Sequence, residues 1–503
     1  MAHHTELERK YDADADFVLP DLRNARVEVG EPATHTLQAR YFDTEDLRLA
    51  ARGITLRRRQ GGDDAGWHLK LPAGENTKRE IQLPLGDDAR AVPEELARLV
   101  TAHARGRPLV PVAEVETRRV ERPLLDENGR VLAKLADDTV HAHPFGRNDG
   151  EVRLMAWREI EIEAVTASDD FLAAVGDHLL GAGAREAAAR SKLARTLETV
   201  PTTTRPSATG TAGGVLVTYL AKHYEEMLAS DPLVRLADHD DDSVHRMRVA
   251  VRRMRSLLRT HRRMIASARA VGLDTELKWL ADTLGEVRDL EVLRARFERR
   301  LADLPDADQR PTWLAGMATE EFRARDRLRA ALSAPRYLAI LDSVDVFLAS
   351  PPLIGERAAR PARRETARTV TKAWRTMLRR HAHAAGLPAG PARDAALHRA
   401  RKAAKRARYT AEAAVPALGS PAKKLARRAA RLQDLLGAHH DGVVAAGRLG
   451  DLARRPGTSA VEAFAMGRLA EREERDRERE PRDLPAAVKK AAARKPLRAL
   501  RRA

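Results

Sequence analysis

The chain has 503 residues, 90 Lys+Arg against 73 Asp+Glu, a net charge of +17 and no cysteine, which suggests two to four domains and excludes disulfides, Cys-ligated zinc or iron–sulfur sites and a thiol nucleophile. Hydrophobic content of 43% is enough for real cores, while 4% aromatics fits Ala/Leu/Arg helices better than a large all-β protein. MAHHTELERKY has no apolar leader region and no run of 18 apolar residues occurs, so the expectation is a cytoplasmic protein with a polyanionic partner and no membrane attachment.

The charge is divided unequally. Residues 1–200 hold 29 Lys+Arg and 36 Asp+Glu, a balance of −7, which leaves +24 for the remainder. Between them, PTTTRPSATGTAGG (201–214) has no apolar periodicity and reads as a linker.

The acidic half alternates with period two, as antiparallel strands do, over Glu6–Tyr11, Ile54–Arg59, Trp67–Leu71, Lys78–Leu83 and Arg158–Glu163. Gly61-Gly62 and Asn128-Gly129 supply turns. One pleat face of each strand collects charge: Glu6, Glu8 and Lys10; Arg57 and Arg59; His68 and Lys70; Glu159, Glu161 and Glu163. A solvated sheet face usually mixes signs, and like charges at i, i+2 repel unless something lies between them. A closed barrel with a polar interior resolves this, its carboxylates holding a hard divalent ion and its bases gripping phosphate.

Glu6-Leu7-Glu8-Arg9-Lys10 resembles the ExExK signature of the CYTH domain, the triphosphate tunnel metalloenzymes. Tyr41-Phe42-Asp43-Thr44, Arg57-x-Arg59, His68-x-Lys70, Lys78-Arg79-Glu80, Arg118-Arg119, Glu159-x-Glu161-x-Glu163 and Ser191-Lys192 follow in that family's order. The resemblance implies a tunnel of eight antiparallel strands acting on triphosphates with Mg²⁺ or Mn²⁺. It implies that Glu6, Glu8 and two of Glu159, Glu161 and Glu163 ligate metal, and that Lys10, Arg57, Arg59, Lys70, Arg118 and Lys192 contact the triphosphate. Arg118 and Arg119 point to opposite faces, so at most one lines a tunnel; Asp137 and Asp138 pose the same choice for a further carboxylate. No Walker loop or kinase signature is present.

From Gly214 onward the periodicity becomes helical. VHRMRVAVRRMRS (244–256) aligns without gaps with LHRARKAAKRARY (397–409), and LADTLGEVRDLEV (280–292) with LQDLLGAHHDGVV (432–444), which marks an internal duplication. His245, Arg248, Arg252 and Arg255 share one helix face, as do His398, Arg401, Lys405 and Arg408. Each row runs for roughly 15 Å, a length that suits a linear polyanion. Arg253, Arg259 and Arg262, with Lys402 and Arg406 in the second copy, widen it. Few acids lie within reach on either helix, so the rows read as ligand-binding rather than as solvated faces. The histidines lack metal-ligand spacing and read as phosphate donors.

This half resembles the CHAD domain in His245-x-x-Arg248 with Arg252-Arg253, Gly285-x-x-Arg288-Asp289, His398-x-x-Arg401 with Lys405-Arg406-x-Arg408-Tyr409, and Gln433-x-x-Leu436-Gly437. The resemblance implies two pseudo-symmetric four-helix bundles that bind inorganic polyphosphate. One departure is that Arg288 in the first copy corresponds to His440 in the second.

The expected organisation is an α+β multidomain chain: a tunnel over 1–200, a linker over 201–213, a helical polyphosphate-binding domain over 214–470 and a charged C-terminal tail, solvated or frayed, over 471–503. The expected activity is metal-dependent hydrolysis of inorganic triphosphate or a related short polyphosphate or organic triphosphate, with polyphosphate granules as one place of action. The alternatives are a non-catalytic polyphosphate-binding protein and an adenylate cyclase. Nucleic acid is disfavoured because the helical half has few aromatics to stack on bases.

Overall fold

The computed structural model describes residues 2–22, 27–74, 76–86, 91–145, 153–201, 210–236, 242–302, 311–478, 483–493 and 497–500. The chain divides into two compact units, 1–203 and 204–503. Most of the expected linker, residues 202–209, lies outside the described residues.

The first unit is built on strands β1 (Ala2–Ala13), β2 (Glu28–Val29), β3 (Ala33–Asp43), β4 (Thr55–Gln60), β5 (Gly66–Pro72), β6 (Thr77–Leu83), β7 (Val110–Leu125), β8 (Val131–Pro144), β9 (Met155–Ala164) and β10 (Arg185–Glu186). Eight of them form one antiparallel circuit, β1-β6-β5-β4-β3-β7-β8-β9, and the pairing of β9 with β1 closes it; β2 and β10 are short additions on β7 and β1. Closure removes the sheet edges and leaves an interior that must be filled by side chains or ligand.

The pleat sorts each strand. On β9 the carboxylates point inward, while Ile160 and Ile162 point outward and pack on Leu172, Val175 and Leu179 of α2 (Asp169–Gly181) beside Tyr11 of β1. Gly176 of α2 allows that approach, because a Cβ there would stand 1.8 Å from the Tyr11 hydroxyl. The two further helices of this unit are α1 (Glu94–Ala104) and α3 (Lys192–Leu197). Gly61 and Gly62 turn the β4–β5 hairpin with φ of 81° and 72°, and a Cβ on Gly61 would sit 2.1 Å from the Thr36 carbonyl oxygen. Asp43 ends β3 fully buried and accepts from the backbone N–H of Thr44, Leu49 and Ala50 at 2.7, 2.9 and 2.8 Å, which fixes the turn after the strand.

The second unit is helical: α4 (Ala212–Arg235), α5 (Ser243–Thr260), α6 (Ser267–Ala302), α7 (Thr312–Ser333), α8 (Pro335–Ala349), α9 (Gly355–Ala359), α10 (Ala362–Ala385), α11 (Pro391–Ala413), α12 (Val415–Leu418), α13 (Ser420–Ala453), α14 (Ala460–Glu478) and α15 (Leu484–Ala492). Helices α4, α5, α6 and α8 form one four-helix ring, and α10, α11, α13 and α15 form a second in the same order. The distal halves of the long helices α6 and α13 pack with α7 and α14 around Phe297, Trp313, Met317, Leu449 and Met466.

The C-terminal segment corrects the expectation of a solvated tail. Leu484, Ala491 and Leu500 are buried in the core of the second ring, and the Trp374 indole donates to the Ala491 carbonyl at 3.0 Å. On α14, Glu473 is buried and accepts from Arg296 and Arg300. The charge-rich composition hides a fourth helix, because only a few well-spaced apolar residues are needed to seal a ring already three-quarters built.

Candidate active site and basic helices

Closure of the barrel brings the inward charges of seven strands around one cavity of about 260 Å³. β1 contributes Glu6, Glu8 and Lys10, since its outward residues Leu7 and Tyr11 join the α2 core and Arg9 is held by Asp169 at 3.0 Å. β4 contributes Arg57 and Arg59, β5 His68 and Lys70, β6 Lys78 and Glu80, β7 Arg119, β8 Asp138, and β9 Glu159, Glu161 and Glu163; of these inward residues Glu8, His68, Asp138 and Glu159 are buried behind the cavity lining. Lys192 reaches in from the first turn of α3, whose N-cap Ser191 accepts from the Ala194 N–H at 3.1 Å.

Two groups form within the cavity. At one wall Lys70 donates to both Glu6 oxygens at 2.6 and 2.7 Å, and His68 Nδ1 meets Glu80 at 2.7 Å. Arg57 lies 3.4 Å from the Tyr41 hydroxyl, and Arg59 pairs with Asp64 of the β4–β5 turn. At the other wall Asp138, Glu159 and Glu161 present oxygens within 4.8 Å of one another. Lys192 reaches all three at 2.8, 2.7 and 2.8 Å, and Arg119 bridges Asp138 and Glu161 at 2.7 and 2.6 Å. Lys10 joins Glu161 to Glu8, and Lys78 also pairs with Glu8. Three carboxylates at this spacing are a hard-oxygen donor set that fits a divalent cation.

The electrostatics follow from burial and pairing. Burial by itself would raise Glu161, but Lys10, Lys192 and Arg119 outweigh it and hold the carboxyl well below its ordinary value. Burial likewise opposes, and Lys10, Lys70 and Lys78 overcome, in lowering Glu8. Burial, then Arg57 and Arg119, lower Arg59 to about 9. Burial drops His68 to about 4 against its bond to Glu80, so its ring is neutral at pH 7. Glu163 stands apart: burial, reinforced by Glu6, pushes it up to about 7.

Both open choices are decided by the barrel. Arg118 is exposed on the outer face, which corrects its expected place inside the tunnel; Arg119 is the one that lines the cavity. Asp138 faces in, whereas Asp137 faces out and pairs with Arg158 at 2.9 Å. The oxygen cluster joins Asp138 to two of the three β9 glutamates; Glu6 and Glu8 lie outside it and are engaged by lysines. Sequence reasoning gave Lys78 and Glu80 no role, because opposite signs at i, i+2 look like an ordinary solvated face.

On the helices, the two copies repeat one contact. Arg248 reaches Asp289 at 2.8 Å and Arg401 reaches Asp441 at 3.8 Å. The repeated glycines make room for these arginines: a Cβ on Gly285 would stand 3.3 Å from Arg248, and one on Gly437 3.7 Å from Arg401. Helices α5 and α11 pack against each other, and burial with Arg248 and Arg401 lowers Arg252. The expectation of few acids within reach is corrected, since a neighbouring helix supplies Asp274 and the end of α11 supplies Glu412. Asp274 takes Arg255 and Arg259 at 3.2 and 2.8 Å, and Glu412 takes Arg253 and Arg408 at 3.2 and 2.8 Å.

Arg253 and Arg408 line a cavity of about 520 Å³, while Arg406 lines another of about 620 Å³. Lys402 is exposed and Lys405 half-buried. His245 is lowered by burial and by Arg288; His398 faces His440 with their Nδ1 atoms 3.2 Å apart, and burial and Arg401 lower His440 to about 4. No helix is long and apolar enough to cross a membrane among the described residues.

Residues 4–196 match the CYTH domain and residues 218–450 the CHAD domain. An uncharacterized protein of Mycobacterium tuberculosis, Rv2226, is 36% identical over 97% of this chain and 96% of its own. Among solved structures, PptA from Streptomyces chartreusis is similar with 24% identity and a TM-score of 0.45, covering 56% of this chain and 99% of that one. A CHAD domain from the plant Ricinus communis is similar with 26% identity and a TM-score of 0.46, covering 58% and 93%. With a CYTH barrel whose interior is lined by acids and bases, a duplicated CHAD helical unit and a full-length relative, this chain belongs to the family that joins a CYTH domain to a CHAD domain.

Proposed function

We propose that the tunnel hydrolyses inorganic triphosphate, or a closely related short polyphosphate or organic triphosphate, with Mg²⁺ or Mn²⁺, and that the helical unit binds inorganic polyphosphate. The observation that carries the reading is one cavity lined by Lys10, Arg57, Arg59, Lys70, Arg119 and Lys192 together with Glu161, the member of the Asp138, Glu159 and Glu161 cluster that reaches it. Phosphoryl transfer needs positioning and charge neutralisation more than covalent chemistry.

Arg57 and Arg59 present planar donors suited to terminal phosphate oxygens, and Lys70 supplies a point charge beside them. An incoming triphosphate competes with Glu6 for Lys70 and with Asp64 for Arg59, so substrate replaces internal carboxylates as the partner of these cations. Asp138, Glu159 and Glu161 would hold the divalent ion, which when bound supplies charge neutralisation at the phosphate oxygens. Lys192, Lys10 and Arg119 hold those carboxylates in place and favour the ionised forms of Asp138 and Glu161. Water is the nucleophile, oriented by a tunnel carboxylate.

The size and polarity of the cavity support a substrate without a base. Tyr41 is its one phenol or indole ring among the described lining residues and is only 3% exposed, so it offers little aromatic face for adenine, which weighs against a cyclase. On the helices, His245, Arg248 and Arg252 with His398 and Arg401 support a groove for a phosphate chain, and action at polyphosphate granules in the cytoplasm belongs to the same reading. A phosphate-release panel with Mg²⁺ or Mn²⁺ across triphosphate, ATP, thiamine triphosphate and long polyphosphate tests it. The expected result is fastest release from triphosphate. Cyclic AMP from ATP, or no release from any substrate, would overturn the catalytic half.

A further inference from the structure

Helix α10 carries a second basic row that the duplicated motifs do not contain. Arg363, Arg364, Arg368, Lys372, Arg375 and Arg379 line a cavity of about 1180 Å³ against Leu500 at the C-terminal end of the second ring. Arg364, Arg368, Lys372, Arg375 and Arg379 follow at steps of three or four residues, so they share one face and span about 22 Å. All are exposed, and among the described residues no carboxylate lines the cavity. Five cations on one helix face, with no ion pair among the described residues, repel one another, an arrangement that an anion lying along it relieves.

The row belongs to one repeat alone. Helix α4 has the same length of 24 residues and the same place in its own ring. Placed end to end with α10, it brings Tyr224 onto Trp374 and Met227 onto Met377, all buried. In that alignment Arg364, Arg368, Arg375 and Arg379 meet Gly214, Thr218, Glu225 and Ala229; only Lys372 has a basic counterpart, Lys222. The fold of the repeat therefore does not require the arginines. Lys372 also lines the 620 Å³ cavity that holds Arg406 of α11, so the α10 face runs on towards the second repeated row.

We propose that the exposed face of α10 is a separate, one-sided binding site for linear inorganic polyphosphate, which holds a long chain whose other part lies on the repeated rows. The inference extends the polyphosphate reading above. Charge complementarity is uniform along the face, and none of its lining residues is aromatic, so it offers nothing on which nucleic-acid bases stack. Its length makes the contribution depend on chain length: a chain of a few phosphates occupies one site, and a long chain occupies both.

The test uses the full chain with Arg368→Gln, Arg375→Gln and Arg379→Gln combined, beside an Arg248→Gln, Arg401→Gln variant. Long-chain polyphosphate binding is measured from low to moderate salt. Losing three phosphate contacts lowers the slope of log affinity against log salt by about 2, at roughly 0.7 per contact on a single strand. The expected result is that slope change with at least a tenfold loss of affinity for long chains, unchanged binding of chains of a few phosphates, and unchanged triphosphate turnover and thermal unfolding. Wild-type affinity and slope in the α10 variant overturn the inference. So does a variant that loses single-stranded DNA or anionic vesicles but keeps polyphosphate. If the α10 variant loses binding while the Arg248/Arg401 variant keeps it, the inference stands and the assignment of the repeated rows falls.

Discussion

The two units handle charge in opposite ways. In the barrel, cations and carboxylates sit a hydrogen bond apart and out of water, as with Lys192 among Asp138, Glu159 and Glu161. On the helices, some cations are paired across neighbouring elements and others, such as those of α10, have open surface. The first arrangement is rigid and has to exchange internal partners for a ligand, because an unpaired buried charge is strongly unfavourable. The second accepts a polyanion without rearrangement and is screened by salt. A short, well-defined substrate fits the first, and a polymer of variable length fits the second.

The widest break in this comparison comes from the barrel wall. Asp138→Asn with Glu161→Gln is expected to reduce metal-dependent phosphate release from triphosphate by about a thousandfold, the scale of removing preorganised charge from a transition state, and to leave polyphosphate binding unchanged. Kinetics and a binding isotherm on one preparation check it. Parallel loss of both would show that the units do not act separately.

The second ring offers the next effect. Leu484→Ala opens a cavity under α15 and is expected to destabilise that ring by about 2–4 kcal/mol, read by thermal or denaturant unfolding. A neutral result would return the C-terminal segment to the role of a tail.

A pH series sharpens the contrast in burial. His68 falls from an ordinary value of 6.5 to about 4 in the fold. Between those values the unfolded chain binds a proton that the folded chain does not, so the stability it supports is present above pH 6.5, is lost as pH falls and levels off below 4. The loss is about 3 kcal/mol at most for this one group. Glu163, raised to about 7, contributes the opposite slope between 7 and its ordinary 4.5, so the readout is the difference between variants: from pH 7 to 4, His68→Gln should lose less stability than the wild type, and Glu163→Gln should lose more.

The smallest effect separates the two repeats. Gly437→Ala leaves an ordinary contact with Arg401 and is expected to stabilise the helix by up to about 1 kcal/mol, while Gly285→Ala presses on Arg248 and yields less. Equal gains would remove the steric account of the repeated glycines.

Much of this was legible locally. Alternating charge marked the inward faces of β1, β4, β5 and β9, and the repeat of His245-x-x-Arg248 at His398-x-x-Arg401 marked α5 and α11 as equivalents. The long strands β3, β7 and β8 escaped, since their patterns are interrupted by register shifts at Tyr41/Phe42 and Leu124/Leu125. The partners of the arginines escaped as well, because Asp289, Asp274 and Glu412 come from other helices or from beyond the aligned row.

The sequence by itself determined that one half is a sheet with segregated charge and that the other is a duplicated set of basic helices, because pleat and helix periods are properties of a few neighbouring residues. Only the tertiary structure decided between Arg118 and Arg119 and between Asp137 and Asp138, which carboxylates share a cluster, and that a charge-rich C-terminal segment completes a core. Those outcomes depend on barrel closure and ring packing, which join residues more than a hundred positions apart, as Lys10 to Glu161 and Trp374 to Ala491.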